Sequence, residues 1–404
     1  MRRARLGPIA IALAVLGAAV PAAAPLRAGG GADDDKPKVP QDDCNPRSPT
    51  TPLTVVYEPY WCPLCIEEKL QKPEARDLQM MQKPVAKVAE QLSIKKEDWI
   101  AIQTPHYKIF STLGPTTSKY NDSVYARFDL DRLKKIQPGI AFGPEGAKLT
   151  AHQRLHLYHI RLERQYAHFS ALTNNTQPNL GMPGIFEIYL FADYTQHHDF
   201  VDRYIGGRND KGGVQWHIQD KPNFLLLSVA ESIVAQQVAR GDGALANHVF
   251  HNTAHLLIDG YNNYFRETPA WIEEGLGHYY ERRENTRWNN FCWAEGKPPT
   301  DFTKPDWEAI IFTLVRRDRD SPFAQWCEKL QPGELTGIEN GLSWSIVKWL
   351  IDTEPIRFTK ILEPMDDLQR NLKPAELIQD AFGCSSSVLY QRWREYVLKE
   401  YAGK

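Results

Sequence analysis

The chain has 404 residues, with 48 Lys and Arg against 50 Asp and Glu, 12 His and six Cys. A formal net charge of −2 excludes the basic footprint of a nucleic-acid binder. With 42% hydrophobic residues and 11 Trp, there is material for one large core or two ordinary ones.

The first residues, Met1-Arg2-Arg3-Ala4-Arg5, are basic. An apolar run from Leu6 to Val20 and the small residues Ala22-Ala23-Ala24 and Ala28 follow. This is the build of a secretory signal peptide cleaved near residues 24 to 28. The run is too short and too rich in Ala and Gly to span a bilayer comfortably, and no second run of spanning length follows. The expected mature protein is therefore exported, periplasmic or extracellular, with no stable membrane span. Losing Arg2, Arg3, Arg5 and Arg27 leaves 44 basic residues against 50 acidic ones, a net charge of −6.

Four segments are expected: the signal peptide (1–28), a disordered tether rich in Gly, Asp, Pro and Thr (29–52), a small Cys-x-x-Cys segment (53–100) and a main domain (101–404). In the small segment Leu53 to Tyr57 reads as a strand, followed by Trp61-Cys62-Pro63-Leu64-Cys65 and a charged helix from Ile66. In the main domain His106 to Ser111 alternates like a strand, Leu149 to Leu172 is a long helix, and Ile185 to Phe191 is a strongly apolar strand. A helix over Gln196 to Tyr204 stops at Gly206-Gly207. Two strands, Gly213 to His217 and Phe224 to Val229, are joined through Lys221-Pro222-Asn223. Helices dominate afterwards: Ala244 to Asp259, one starting near Pro269-Ala270-Trp271, Ser343 to Ile351 and Leu389 to Tyr401. The expected class is α+β, a small mixed sheet followed by a mainly helical C-terminal half.

All six cysteines, Cys44, Cys62, Cys65, Cys292, Cys327 and Cys384, lie beyond the signal. An even count in an exported chain favours disulfides, with a connectivity that sequence does not choose. The strand, Trp-Cys-x-x-Cys and helix order locally resembles a thioredoxin active site, but the segment is too short for that fold. Cys62 and Cys65 read as a structural disulfide, as half of a metal site completed by Cys44 or others, or as a redox pair; the first suits the compartment best. His152, His156 and His159 share one stripe of the long helix. With no acidic or cysteine partner identifiable in sequence, a partly exposed polar face is expected there rather than a metal site.

The chemistry concentrates in His251-Asn252-Thr253-Ala254-His255. Histidines four apart lie about 40° apart around a helix, so both imidazoles can reach one ion. Eighteen residues separate His255 from Glu274, which lies within Trp271-Ile272-Glu273-Glu274-Gly275-Leu276-Gly277. Two His and one Glu form a standard catalytic zinc set that leaves a position for water or substrate.

On these residues the chain resembles the gluzincin metallopeptidases, in particular their aminopeptidase-N-like branch and the secreted bacterial proteins with a peptidase-MA-like domain. The shared pattern is H-E-x-x-H, eighteen residues, then a glutamate in a W-x-x-E-G context. The resemblance covers roughly residues 102 to 404. It implies one zinc ion held by His251, His255 and Glu274, with Glu274 rather than Glu273 as third ligand. It also implies an edge strand before the zinc helix, here Gly213 to His217 or its hairpin partner, that pairs with extended peptide.

The sequence departs from that pattern at the working residue. The general base of H-E-x-x-H is a glutamate that takes a proton from zinc-bound water. Here that position is Asn252, which cannot take one up. Glu273 points about 100° away from Glu274 around the helix and is a poor substitute. The branch also uses a downstream tyrosine on the oxyanion, yet no Tyr occurs between Tyr280 and Tyr390. Trp344 occupies the helix where that tyrosine would lie, and packing is its expected job. Glu281 and His248 are expected as a solvated charge and a helix-surface histidine, each with an alternative place behind the ligands. Three classes follow: a catalytically impaired pseudopeptidase that binds metal and a peptide or protein ligand, an active zinc hydrolase with an atypical base, and a structural envelope protein without metal.

Overall fold

The computed structural model describes residues 60–70, 87–182, 184–205, 213–218, 224–262, 268–291, 295, 300–366 and 373–404. The expected signal peptide, tether and Leu53–Tyr57 strand lie outside the described residues, as do Cys44, Cys292, Gly206-Gly207 and the Lys221-Pro222-Asn223 connection.

A short helix α1 (Pro63–Glu67) opens the described chain, with Cys62 at its N-cap and Pro63 in its first turn, where the missing N–H costs nothing. Five strands form the main sheet: β1 (Ile100–Gln103), β2 (Tyr107–Ser111), and further on β6 (Phe186–Phe191), β7 (Gly213–Ile218) and β8 (Phe224–Ala230). Their spatial order is β1-β2-β6-β8-β7. The centre is parallel, β2 with β6 and β6 with β8, while β1 and β7 pair antiparallel at the two edges. The sheet is small and mixed, as the α+β reading requires. A second sheet of β3 (Thr116–Lys119), β4 (Ala141–Phe142) and β5 (Gly146–Leu149) is antiparallel in the order β3-β5-β4, and α2 (Ala126–Ile136) lies within its connection.

Helix α3 (Ala151–Thr173) begins where Thr150 and Gln153 form a reciprocal capping box, and ends at Asn174 in the left-handed conformation. The strands alternate in burial partners. Ile188 and Leu190 face the large core with Leu155, Leu162, Leu245 and Val249, whereas Tyr189 and Phe191 face a smaller one with Phe110 and Phe200. Phe200 closes α4 (Tyr194–Phe200) on that second face. Trp61 bridges to Gln103 of β1, and Cys62 and Cys65 sit in the large core.

After α5 (Glu231–Gln237) the chain turns at Gly241 (φ 115) into α6 (Asp242–Tyr261). This helix is buried at every position except His248, so it is a core helix rather than one with a single apolar face. It packs along α3, α5, β7 and β8. Helix α7 (Ala270–Glu284) packs on α6, and the helical half continues with α8 (Trp307–Arg316), α9 (Gly337–Thr353), α10 (Pro355–Asp366), α11 (Pro374–Phe382) and α12 (Ser386–Glu400). No helix among the described residues is long and apolar enough to cross a membrane.

Three arginines of α3 tie this arrangement together inside the protein. Arg154 Nε donates to Asp242 Oδ1 at 2.8 Å and Arg161 to Asp242 Oδ2 at 2.9 Å, fixing the start of α6. Arg164 donates to Glu284 Oε2 at 3.0 Å and to Asp129 Oδ2 at 3.1 Å, fixing the end of α7 and the first turn of α2. Asp242, Asp129 and all three guanidiniums are buried. Burial pushes the Asp242 carboxyl up, but Arg154 and Arg161 outweigh it and hold the group below its usual range. Its contribution is therefore complete above the ordinary Asp range and is lost as pH falls through the depressed value. Asp242→Asn leaves two buried cations facing a neutral amide and is expected to cost about 3–5 kcal/mol at neutral pH. Urea midpoints measure the gap between wild type and variant, which is expected to narrow below about pH 4.

Candidate metal centre

Helices α6 and α7 bring His251, His255 and Glu274 to one point. His251 Nε2 lies 3.7 Å from Glu274 Oε2, His255 Nε2 lies 3.6 Å from the same oxygen, and the two rings have centroids 4.8 Å apart. All three side chains are buried. Neither Nε2 atom has a hydrogen-bond partner among the described residues. Buried ring nitrogens ordinarily find one, and the exceptions call for a reason. Ligands bound tetrahedrally about 2.0–2.1 Å from zinc stand roughly 3.4 Å apart, close to the observed spacing. The three residues can hold a metal ion.

Two glycines make the geometry possible. A Cβ on Gly277 would stand 3.0 Å from His251 Nε2 and 3.2 Å from His255 Nε2, crowding the ligand atoms themselves. A Cβ on Gly275 would meet Ser343 O at 2.8 Å, so the glycine after the ligand lets α9 close against α7.

Behind the ligands the groups are acidic. Glu281 Oε2 faces His251 Nδ1 at 3.5 Å, and Glu273 Oε1 faces His255 Nδ1 at 3.7 Å. Glu281, expected as a solvated charge, is fully buried. It accepts from the Asn290 backbone N–H at 3.0 Å and the Asn290 side chain at 2.7 Å. His278 bridges Glu281 Oε1 at 2.7 Å and Glu295 Oε1 at 2.8 Å, so both of its nitrogens are engaged. Burial would lower its pKa, but the Glu295 and Glu281 carboxylates win and hold it at about 9. Burial likewise takes His255 down to about 4, more than Glu274 raises it. His251 goes up instead, because Glu281 and Glu274 override burial there. Four buried carboxylates, Glu273, Glu274, Glu281 and Glu295, thus surround three imidazoles. A metal ion held by these residues would offset part of this buried acid.

Other groups fall outside the ligand set. Asn252 folds back, its amide donating to His248 O at 2.8 Å. Glu273 lies on the Nδ1 side of His255, away from the Nε2 that meets Glu274. His248 is partly buried rather than on the surface, 3.3 Å from Asn290 Oδ1. Trp344 packs edge-on against Trp307 beneath the Arg282 guanidinium. His278 and Glu295 went unnoticed in the sequence. His278 lies one turn past Glu274 and could have been found by that spacing, whereas Glu295 stands at no spacing that would have singled it out.

A second buried cluster able to hold a metal joins Cys62 and Cys65 to His152 and His156. The histidine stripe is thus not a partly exposed polar face, since His152, His156 and His159 are all buried. No two of the described cysteines, Cys62, Cys65, Cys327 and Cys384, stand at disulfide distance.

No family model, curated protein or solved structure matches this chain.

Glu281→Gln preserves shape but removes the charge behind His251. It is expected to weaken metal binding about 10- to 100-fold in competition with a chromophoric chelator. Unchanged affinity would mean that Glu281 serves only to hold His278 and Asn290.

Proposed function

We propose that the protein is an exported, gluzincin-like pseudopeptidase that holds one zinc ion through His251, His255 and Glu274 and binds extended peptide without hydrolysing it. The observation that carries this reading is the convergence of two buried Nε2 atoms, neither hydrogen-bonded to a described residue, on one oxygen of Glu274. Bound there, zinc would polarise water or a carbonyl oxygen.

The loss of hydrolysis follows from the residues around the ligands. Hydrolysis needs a side chain that takes a proton from the attacking water and returns it to the leaving amine, a contribution of typically about 10²- to 10⁴-fold. Asn252 holds no exchangeable charge, and its amide is committed to the preceding helical turn. Glu273 and Glu281, the carboxylates beside the ligand set, face the Nδ1 atoms of His255 and His251, on the far side of the rings from Nε2. Peptide binding is assigned to β7, which ends the main sheet and runs beside α6. An edge strand offers unpaired main-chain groups to an incoming extended chain.

Metal analysis of protein purified without chelators tests the assignment. His255→Ala is expected to lose one zinc equivalent relative to wild type, and wild type is expected to cleave nothing in a broad peptide screen. Zinc-dependent cleavage that disappears in His251→Ala overturns the pseudopeptidase reading, and equal metal content in wild type and His255→Ala overturns the site. Asn252→Glu restores the missing base and is expected to gain peptidase activity.

A further inference from the structure

We infer that Cys62, Cys65, His152 and His156 form a second metal site, a closed Cys2His2 set for one zinc-class divalent ion, independent of the site on α6 and α7. The donors come from segments about ninety residues apart. Cys62 Sγ lies 3.2 Å from His152 Nε2, and Cys65 Sγ lies 3.4 Å from His152 Nε2 and 3.1 Å from His156 Nε2. The two Nε2 atoms stand 3.2 Å apart. Tetrahedral zinc with two sulfurs at about 2.3 Å and two nitrogens at about 2.0–2.1 Å puts neighbouring donors roughly 3.4–3.7 Å apart.

Each half of the set is built by its local structure. Cys62 caps α1 and Cys65 lies three residues on, with Ile66 N–H donating to Cys62 O at 3.2 Å, so one helical turn directs both sulfurs to the same side. His152 and His156 occupy successive turns of α3. The surrounding groups suit an ion as well. Gln137 donates an amide N–H to Cys65 Sγ at 3.1 Å, a bond that favours the thiolate, and Glu68 Oε1 faces His152 Nδ1 at 3.4 Å. Tyr60 covers His156 edge-on with centroids 5.1 Å apart.

Neither hydrogen bonding alone nor a disulfide accounts for this convergence. A hydrogen-bonded cluster does not require two sulfurs and two nitrogens to meet at one point, and two facing Nε2 atoms can share only one hydrogen. A Cys62–Cys65 disulfide would leave two buried imidazoles facing sulfurs that carry no proton and no charge. With four protein donors no position is left for water or substrate, so the ion's role is structural. It fastens residues 60–70 and the β1 edge to α3, the helix whose arginines place α6 and α7.

The test uses the full exported chain loaded with cobalt(II) in place of zinc. Wild type is expected to show sulfur-to-cobalt charge-transfer absorption together with tetrahedral d–d bands. That absorption is expected to survive His255→Ala and to vanish in Cys65→Ser, with metal content falling by one equivalent in each variant. If the α6–α7 site fails while this one stands, wild type binds a single ion, lost in Cys65→Ser and kept in His255→Ala. Should Cys65→Ser not fold, wild type alone decides the matter. Cys62 and Cys65 are expected to resist alkylation until a chelator strips the metal, while the partly exposed Cys384 reacts throughout. A Cys62–Cys65 disulfide in unreduced peptides, or absence of the charge-transfer band from loaded wild type, overturns the proposal.

Discussion

Charge buried along α3 governs the rest of the molecule. Arg154, Arg161 and Arg164 are removed from water, and Asp242, Asp129 and Glu284 meet them there, with Glu231 of α5 as a further partner of Arg154. The first three acids lie at the start of α6, in α2 and at the end of α7. A helix carrying three buried guanidiniums is a poor way to gain net stability, since an apolar core of similar volume would do as well or better. What it supplies is orientation. Each guanidinium accepts only a narrow range of carboxylate positions, so α6 and α7 are held in register over the stretch where His251, His255 and Glu274 must meet within a few tenths of an ångström.

Electrostatics links that frame to the metal centre. The three candidate ligands sit among four buried carboxylates, and His278 is hydrogen-bonded between two of them, Glu281 and Glu295. The α3 network is nearly balanced within itself, whereas the α6–α7 cluster is not. A metal ion would resolve the second case, and opposed helix faces resolve the first. Under the proposed reading, hydrolysis would need a proton acceptor beside the ligands, and the candidate position, Asn252, carries an amide that donates to His248 O.

Much of the fold was legible because period and punctuation agreed. The α3 helix, the apolar β6 strand and the Pro269 start of α7 follow from caps and patterning and fall within two residues of expectation. The His251–His255–Glu274 set was legible because two spacings had to coincide. The rest required contacts between residues distant in sequence. Glu281 reads as an ordinary helical charge until Asn290 and His278 are seen to enclose it. The histidine stripe on α3 looked polar and open because its partners, Cys62 and Cys65, lie about ninety residues away in a segment with no periodicity to place it. Nothing in the composition of α6 revealed that it is buried all round, since that depends on how many neighbours the sheet and α3 bring against it.

The separation between the cysteines and their histidine partners also has a temporal meaning. His152 follows Cys62 by 90 residues, and His156 follows Cys65 by 91. At about 5–20 residues per second, the thiols emerge from synthesis roughly 5–20 s before the imidazoles that complete the cluster. During that interval they are a bare vicinal pair, open to any oxidant they encounter and closed to it once α3 has docked.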